Sequence, residues 1–140
     1  MLSNSDRQKI EKYLASQDSI DVAYLFGSQS KKMANTLSDV DIAILFSENV
    51  KVDKRFNEKL KIMGDLGTLL KTNNIDIVDL NSADTMLQFS AIESRDILIN
   101  KNNLARVIFE STVMTRYQDY RYYLTMNTHN SLVSIARIEI

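Results

Sequence analysis

The chain has no cysteine, no proline, no tryptophan, one histidine and three glycines in 140 residues. Without cysteine there is no disulfide frame, no thiolate nucleophile and no cysteine zinc site, which fits a reducing compartment. No apolar stretch reaches membrane-spanning length, and no basic start leads into an apolar segment. The expectation is therefore a cytoplasmic protein with neither anchor nor signal peptide. Seventeen basic residues stand against eighteen acidic ones. Such a balance argues against broad electrostatic binding of nucleic acid, and no direct nucleic-acid contact is expected. With so few hard breaks, the remaining glycines mark places where the backbone needs them. The length predicts one domain, residues 1–140, large enough to bury a core unaided.

What is present is an alternation of helical and strand patterns. Ser5 and Gln8 form a capping box for a helix over about Asp6–Ser16, with Ile10, Tyr13 and Leu14 on its apolar side. Val22–Phe26 reads as a strand, residues 29–34 as a helical turn, and Asp39–Phe46 as a second strand. Asp53–Lys71 reads as a long helix with Phe56, Leu60, Met63, Leu66, Gly67 and Leu70 on its stripe, stopped near Asn73 or Asn74. Ile75–Leu80 is a third strand. Asn81–Ser82 caps a helix to about Glu93, with Asp84 in its first turn. Ile97–Ile99 is a short fourth strand, and Asn102 or Asn103 opens a helix to about Met126 carrying Leu104, Val107, Ile108, Met114, Tyr117 and Leu124. Ser131–Ile140 fits helix or strand equally. The order predicts an α/β (α+β) class: a small mixed β-sheet covered on one face by helices, with a long C-terminal helix.

The chemistry-bearing stretch is Tyr24–Phe46. A strand breaks at Gly27-Ser28, and ten residues later Asp39-Val40-Asp41 opens the next strand. Carboxylates at i and i+2 of a strand point to one face, and two such charges side by side call for a divalent cation. Glycine lets the backbone approach a phosphate. The Ser28 hydroxyl and the N–H groups of the following turn can donate to phosphate oxygens. A third carboxylate is expected from the Ile75–Leu80 strand. If Ile75 and Ile77 pack beside Val40 and Ile42, Asp76 faces the cleft and Asp79 caps the turn at the strand end. Lys31 and Ser38 are further candidate nucleotide contacts. The set fits a nucleoside triphosphate held on two Mg²⁺ sites by Asp39, Asp41 and Asp76, with Asp76 taking the acceptor's proton.

Gly27-Ser28, ten residues, then Asp39-x-Asp41 resembles the signature of the DNA polymerase β-like nucleotidyltransferases. The stretches LFGSQSKK, LSDVDIAILF, IDIVDLNSA and ESRDILI are similar to the minimal nucleotidyltransferases over nearly the whole chain. That resemblance implies the nucleotidyltransferase fold, ATP, Mg²⁺, and an antitoxin role. In such pairs AMP passes from ATP to a tyrosine of a HEPN-domain ribonuclease toxin, which is thereby silenced, and the resemblance extends to an oligomer formed with the toxin. It carries Gly27 and Ser28 over as triphosphate contacts and Asp39, Asp41 and Asp76 as metal and catalytic residues. Two departures stand out: Lys32 and Arg95 occupy positions where the family often has glycine.

Other readings compete. A non-catalytic or ATP-sensing antitoxin subunit would mask the toxin by binding alone. Transfer to a small molecule or an RNA end would need acceptor-binding room that 140 residues scarcely leave. Lys31 and Lys32 fit a solvated surface turn as well as a phosphate contact. His129, the lone histidine, reads as a surface residue, and its distance in sequence from Arg121 does not match the Arg/His pair of HEPN ribonucleases. Tyr117, Tyr120, Tyr122 and Tyr123 read as packing, with the exposed ones available to a partner.

Overall fold

The computed structural model describes residues 2–26 and 40–138, the last eight of them as backbone only. Helix α1 (Asn4–Ala15) starts earlier than the capping box suggests: Ser3, not Ser5, is the cap, its hydroxyl accepting from the Asp6 N–H at 3.1 Å. Ile10 and Leu14, one turn apart, are fully buried. Strands β1 (Ile20–Phe26) and β2 (Val40–Phe46) follow. Helix α2 (Val52–Leu70) ends on Lys71 in the left-handed region, φ 57°, rather than on an asparagine. Strand β3 (Ile75–Asp79) leads to helix α3 (Thr85–Glu93), where Asp84 itself is the cap and accepts from the Leu87 N–H at 2.8 Å. Strand β4 (Ile97–Asn100) precedes helix α4 (Asn103–Ile138).

The strands form one mixed sheet in the order β3-β2-β1-β4. β1 pairs antiparallel with β2 and β4, and β2 pairs parallel with β3. The class, the mixed sheet and the long last helix agree with the sequence. So do the two faces of β2. Val40, Ile42, Ile44 and Phe46 join Ile75, Ile77, Ile62, Leu66, Ile10 and Leu14 in a core under α1 and α2.

The second face corrects the expectation of a sheet covered on one side only. Val22, Tyr24, Ala43 and Leu45 pack there with Leu80, Ala91, Ile92 and Val113, so α3 and α4 cover much of it. Among the described residues, those packed under α3 and α4 on this face do not include Asp41.

Two helix stripes also sit differently from their sequence reading. On α2 the buried residues are Ile62 and Leu66, with Met63 and Leu70 against the core, while Phe56 and Leu60 are exposed. The residues of this helix that pack in the core all lie in its second half. On α4, Val113 is buried and Phe109 packs beside it, whereas Leu104, Val107, Ile108, Met114 and Leu124 are exposed. Tyr117 stacks on Phe89 of α3 with ring centroids 3.6 Å apart. Beyond Tyr117 every side chain to Asn130 is exposed. The backbone continues as helix to Ile138, which resolves the ambiguous last segment. Among the described residues no helix is long and apolar enough to cross a membrane.

Candidate active site

Strand register brings two of the sequence-identified carboxylates together. Val40 pairs with Ile75, Asp41 with Asp76 and Ile42 with Ile77 along the parallel β2–β3 ladder. Paired residues of adjacent strands project to the same face, and the strands run about 4.8 Å apart. Val40, Ile42, Ile75 and Ile77 all point into the α1–α2 core, so Asp41 and Asp76 share the opposite face. Asp41 is 7% exposed, and Asp76 is open to solvent. Two carboxylates at this spacing offer hard oxygen donors to one divalent cation or to two neighbouring ones. Among the described residues no group of three His, Cys, Asp or Glu side chains gathers as a metal site.

Asp79 has a different environment. Its Oδ2 accepts from Arg55 Nε at 3.0 Å and from the Ser82 hydroxyl at 3.1 Å, and its Oδ1 accepts from the Asn81 N–H at 2.9 Å. It closes the turn after β3 and ties α2 to it, as an aspartate at a strand end is expected to do. Asn81 completes that corner by bonding Phe46 at both N–H (2.8 Å) and carbonyl (3.1 Å), so a side-chain amide takes the place of a neighbouring strand.

On the other side of Asp41 stands Phe26, the last residue of β1 and its antiparallel partner. Gly27, Ser28, Lys31, Lys32, Ser38 and Asp39 lie outside the described residues. The strand ends flanking that segment, Phe26 and Val40, are both beside Asp41. Arg95, where the resembled family often has glycine, has φ 54°, a left-handed conformation in which glycine carries no steric cost.

A third group went unnoticed in the sequence. The Tyr24 hydroxyl donates to Glu110 Oε2 at 2.7 Å, and Arg106 donates to the same oxygen at 3.1 Å. Burial, and then the Glu110 hydrogen bond, push the Tyr24 hydroxyl well above the usual tyrosine range. The trio borders a cavity of about 370 Å³ between β1, β4, α3 and α4. Tyr24 and Glu110 are 86 positions apart, so no local pattern announces the group. The only hint was a tyrosine hydroxyl on a strand face that must be buried.

Known proteins supply the family and the fold. The family described as Polymerase beta, Nucleotidyltransferase matches residues 8–104. No curated protein shows significant sequence similarity. Among solved structures, the chain is similar to one from a toxin–antitoxin MntA–HpeT mutant in which two aspartates are replaced by glutamate. The identity is 22%, the TM-score 0.67, and 90% of this chain and 98% of that one are covered. A structure of a tri-AMPylated Shewanella oneidensis HEPN toxin in complex with MNT antitoxin gives 22% identity and a TM-score of 0.64 over 91% of this chain and 97% of that one. A toxin–antitoxin structure with AMP-PNP gives 21% identity and a TM-score of 0.64 over 94% and 99%. The family match spans the whole sheet and both carboxylate strands, and the chain belongs to the polymerase β-type nucleotidyltransferases.

Proposed function

We propose that this chain, acting as the single domain 1–140, is an ATP- and Mg²⁺-dependent antitoxin that transfers AMP to a tyrosine of a cognate HEPN ribonuclease toxin and thereby silences it. The observation that carries the reading is the register pairing of Asp41 with Asp76 on one sheet face. The similar complexes of a HEPN toxin with its antitoxin, one of them tri-AMPylated, support the choice of acceptor. The complex with AMP-PNP supports ATP as donor.

The carboxylates suit Mg²⁺, a hard cation that prefers a few carboxylate oxygens together with substrate phosphates. When bound, Mg²⁺ supplies charge neutralisation at the phosphates and Lewis-acid activation. Asp39, Asp41 and Asp76 would hold it. Backbone N–H groups at Gly27-Ser28 and the Ser28 hydroxyl would bind the outer phosphates, and Lys31 and Ser38 would be further nucleotide contacts. Asp76 accepts the proton of the incoming tyrosine hydroxyl, whose oxygen bonds to the α-phosphorus as the bond to the β-phosphate bridging oxygen breaks and pyrophosphate leaves. Asp76 suits this role because it is solvent-accessible, whereas Asp79 is tied to Arg55.

A second reading, masking of the toxin by binding alone, draws on α4, whose Leu124, Tyr122, Tyr123 and Met126 are exposed. Incubation with radiolabelled ATP, Mg²⁺ and the HEPN protein encoded beside it separates the two. Label on the toxin that disappears with EDTA supports transfer. An unlabelled but neutralised toxin supports masking.

A further inference from the structure

The outer face of α2 carries an apolar row that takes no part in the candidate site. Val52, Phe56 and Leu60 follow one another a turn apart and are 70%, 61% and 51% exposed. The next position in that row is Gly64, with Gly67 beside it. Two of the chain's three glycines thus sit inside one helix, where glycine costs stability relative to alanine. Gly67 has a reason within the chain, since a Cβ there would come to 3.0 Å from the Thr72 carbonyl oxygen. For Gly64, nothing among the described residues lies within 4 Å of the place its Cβ would take. The two glycines floor a groove of about 400 Å³ that Met63, Thr68, Thr72 and Ile75 also line. The first half of the face therefore carries knobs and the second half a hole.

We infer that this face pairs with a second copy of the same chain, α2 against α2, antiparallel about a two-fold axis at the level of Ile62. One such rotation sets Leu60 of each copy against Gly64 of the other and Phe56 against Gly67. The same rotation sets Asp53, at one end of the face, opposite Lys71 at the other end. Asp53, Leu60 and Gly67 recur every seven residues, as do Gly64 and Lys71, so all of them lie along one seam. Among the described residues no hydrogen bond or ion pair engages the Asp53 or Lys71 side chain. Lys71 also keeps its place at φ 57°, where glycine would carry no steric cost. Knob and hole on one chain, in register with opposite charges, specify a self-complementary contact rather than a foreign helix. The antiparallel pairing sets the two helix dipoles in opposite directions. The contact runs along a helix of 19 residues, about 28 Å, which suits a weak, reversible dimer with micromolar affinity. Helix α2 covers the sheet face away from Asp41, so neither Asp41 nor Asp76 is among the paired residues.

The test is the mass of the full chain by sedimentation equilibrium, from about 1 µM to about 200 µM. Wild type should pass from one chain mass, 16.0 kDa, toward two. Leu60→Glu, which brings like charges together near the axis, should hold the monomer across the range. Gly64→Leu fills the hole and should weaken the dimer about tenfold or more. It should also raise the melting temperature of the dilute monomer, because nothing in the chain opposes the new side chain. Asp53→Lys should weaken the dimer, and adding Lys71→Asp should restore it, as contact between copies in this register requires. A wild type that stays at one chain mass throughout overturns the inference, and so does a dimer that survives both Leu60→Glu and Gly64→Leu. A monomeric wild type whose binding to the HEPN protein is lost in Leu60→Glu would assign the face to that partner, and overturns it as well.

Discussion

Asp41 of β2 and Asp76 of β3 are register partners on one face of a parallel strand pair, and Asp79, three residues further, turns to the other face and is closed by Arg55. The two aspartates of β3 should therefore fail in opposite ways when altered. Asp76→Asn should cut AMP transfer by roughly a hundredfold or more, the scale expected for loss of a general base. Its melting temperature should hold or rise, because the change removes a like charge beside Asp41.

Asp79→Asn should do the reverse. Its carboxylate and Arg55 are only 18% and 13% exposed, and both of its oxygens are engaged. Loss of the charge should cost about 1–3 kcal/mol in denaturant unfolding while the folded fraction still transfers AMP. A transfer defect in Asp79→Asn alongside an active Asp76→Asn would exchange the two assignments.

The parity of these strands was legible because it is local. Alternation along Val40–Phe46 and Ile75–Asp79 fixes which residues share a face, and one buried side settles the other. The covering of the second face was not legible. It depends on α3 and α4 folding back over Tyr24 and Leu45, and no periodicity in either helix states its target. Phe56, Leu60 and Leu104 show the same limit, since an apolar residue at helical spacing is buried only if a surface lies opposite it. The Tyr24–Glu110–Arg106 group depends on contacts far apart in sequence, and only the fold brings it together.

Lys71 is held at φ 57° where α2 ends, and its N–H donates to the Gly67 carbonyl. A residue with a Cβ bears a steric cost there that glycine does not. Lys71→Gly should stabilise the chain by about 1 kcal/mol in urea unfolding, despite the added backbone freedom of the unfolded state. A loss of stability would show that the Lys71 side chain contributes more than its conformation costs.

Tyr24 gives the chain an alkaline limit. Burial and the Glu110 hydrogen bond raise its hydroxyl above the ordinary value of about 10. Tyr13 is raised the same way, first by burial and then by Asp65. As pH climbs past about 10 the unfolded chain releases these protons and the folded chain keeps them, so the unfolded state binds fewer protons and stability falls. Below that pH these groups contribute their full stability. Tyr24→Phe should flatten the alkaline limb of stability against pH, and a limb parallel to that of wild type would remove Tyr24 as its cause.

Transfer of AMP to a partner toxin should depend on the Asp39, Asp41 and Asp76 set. Its most direct test is the intact mass of the HEPN partner after co-expression with the wild-type chain or with Asp39→Asn/Asp41→Asn. The toxin should be heavier by one or more adenylates, located on tyrosine, with wild type, and unmodified with the variant. An unmodified toxin that is nevertheless neutralised by the wild-type chain, or a modified toxin in the presence of the double variant, would contradict it.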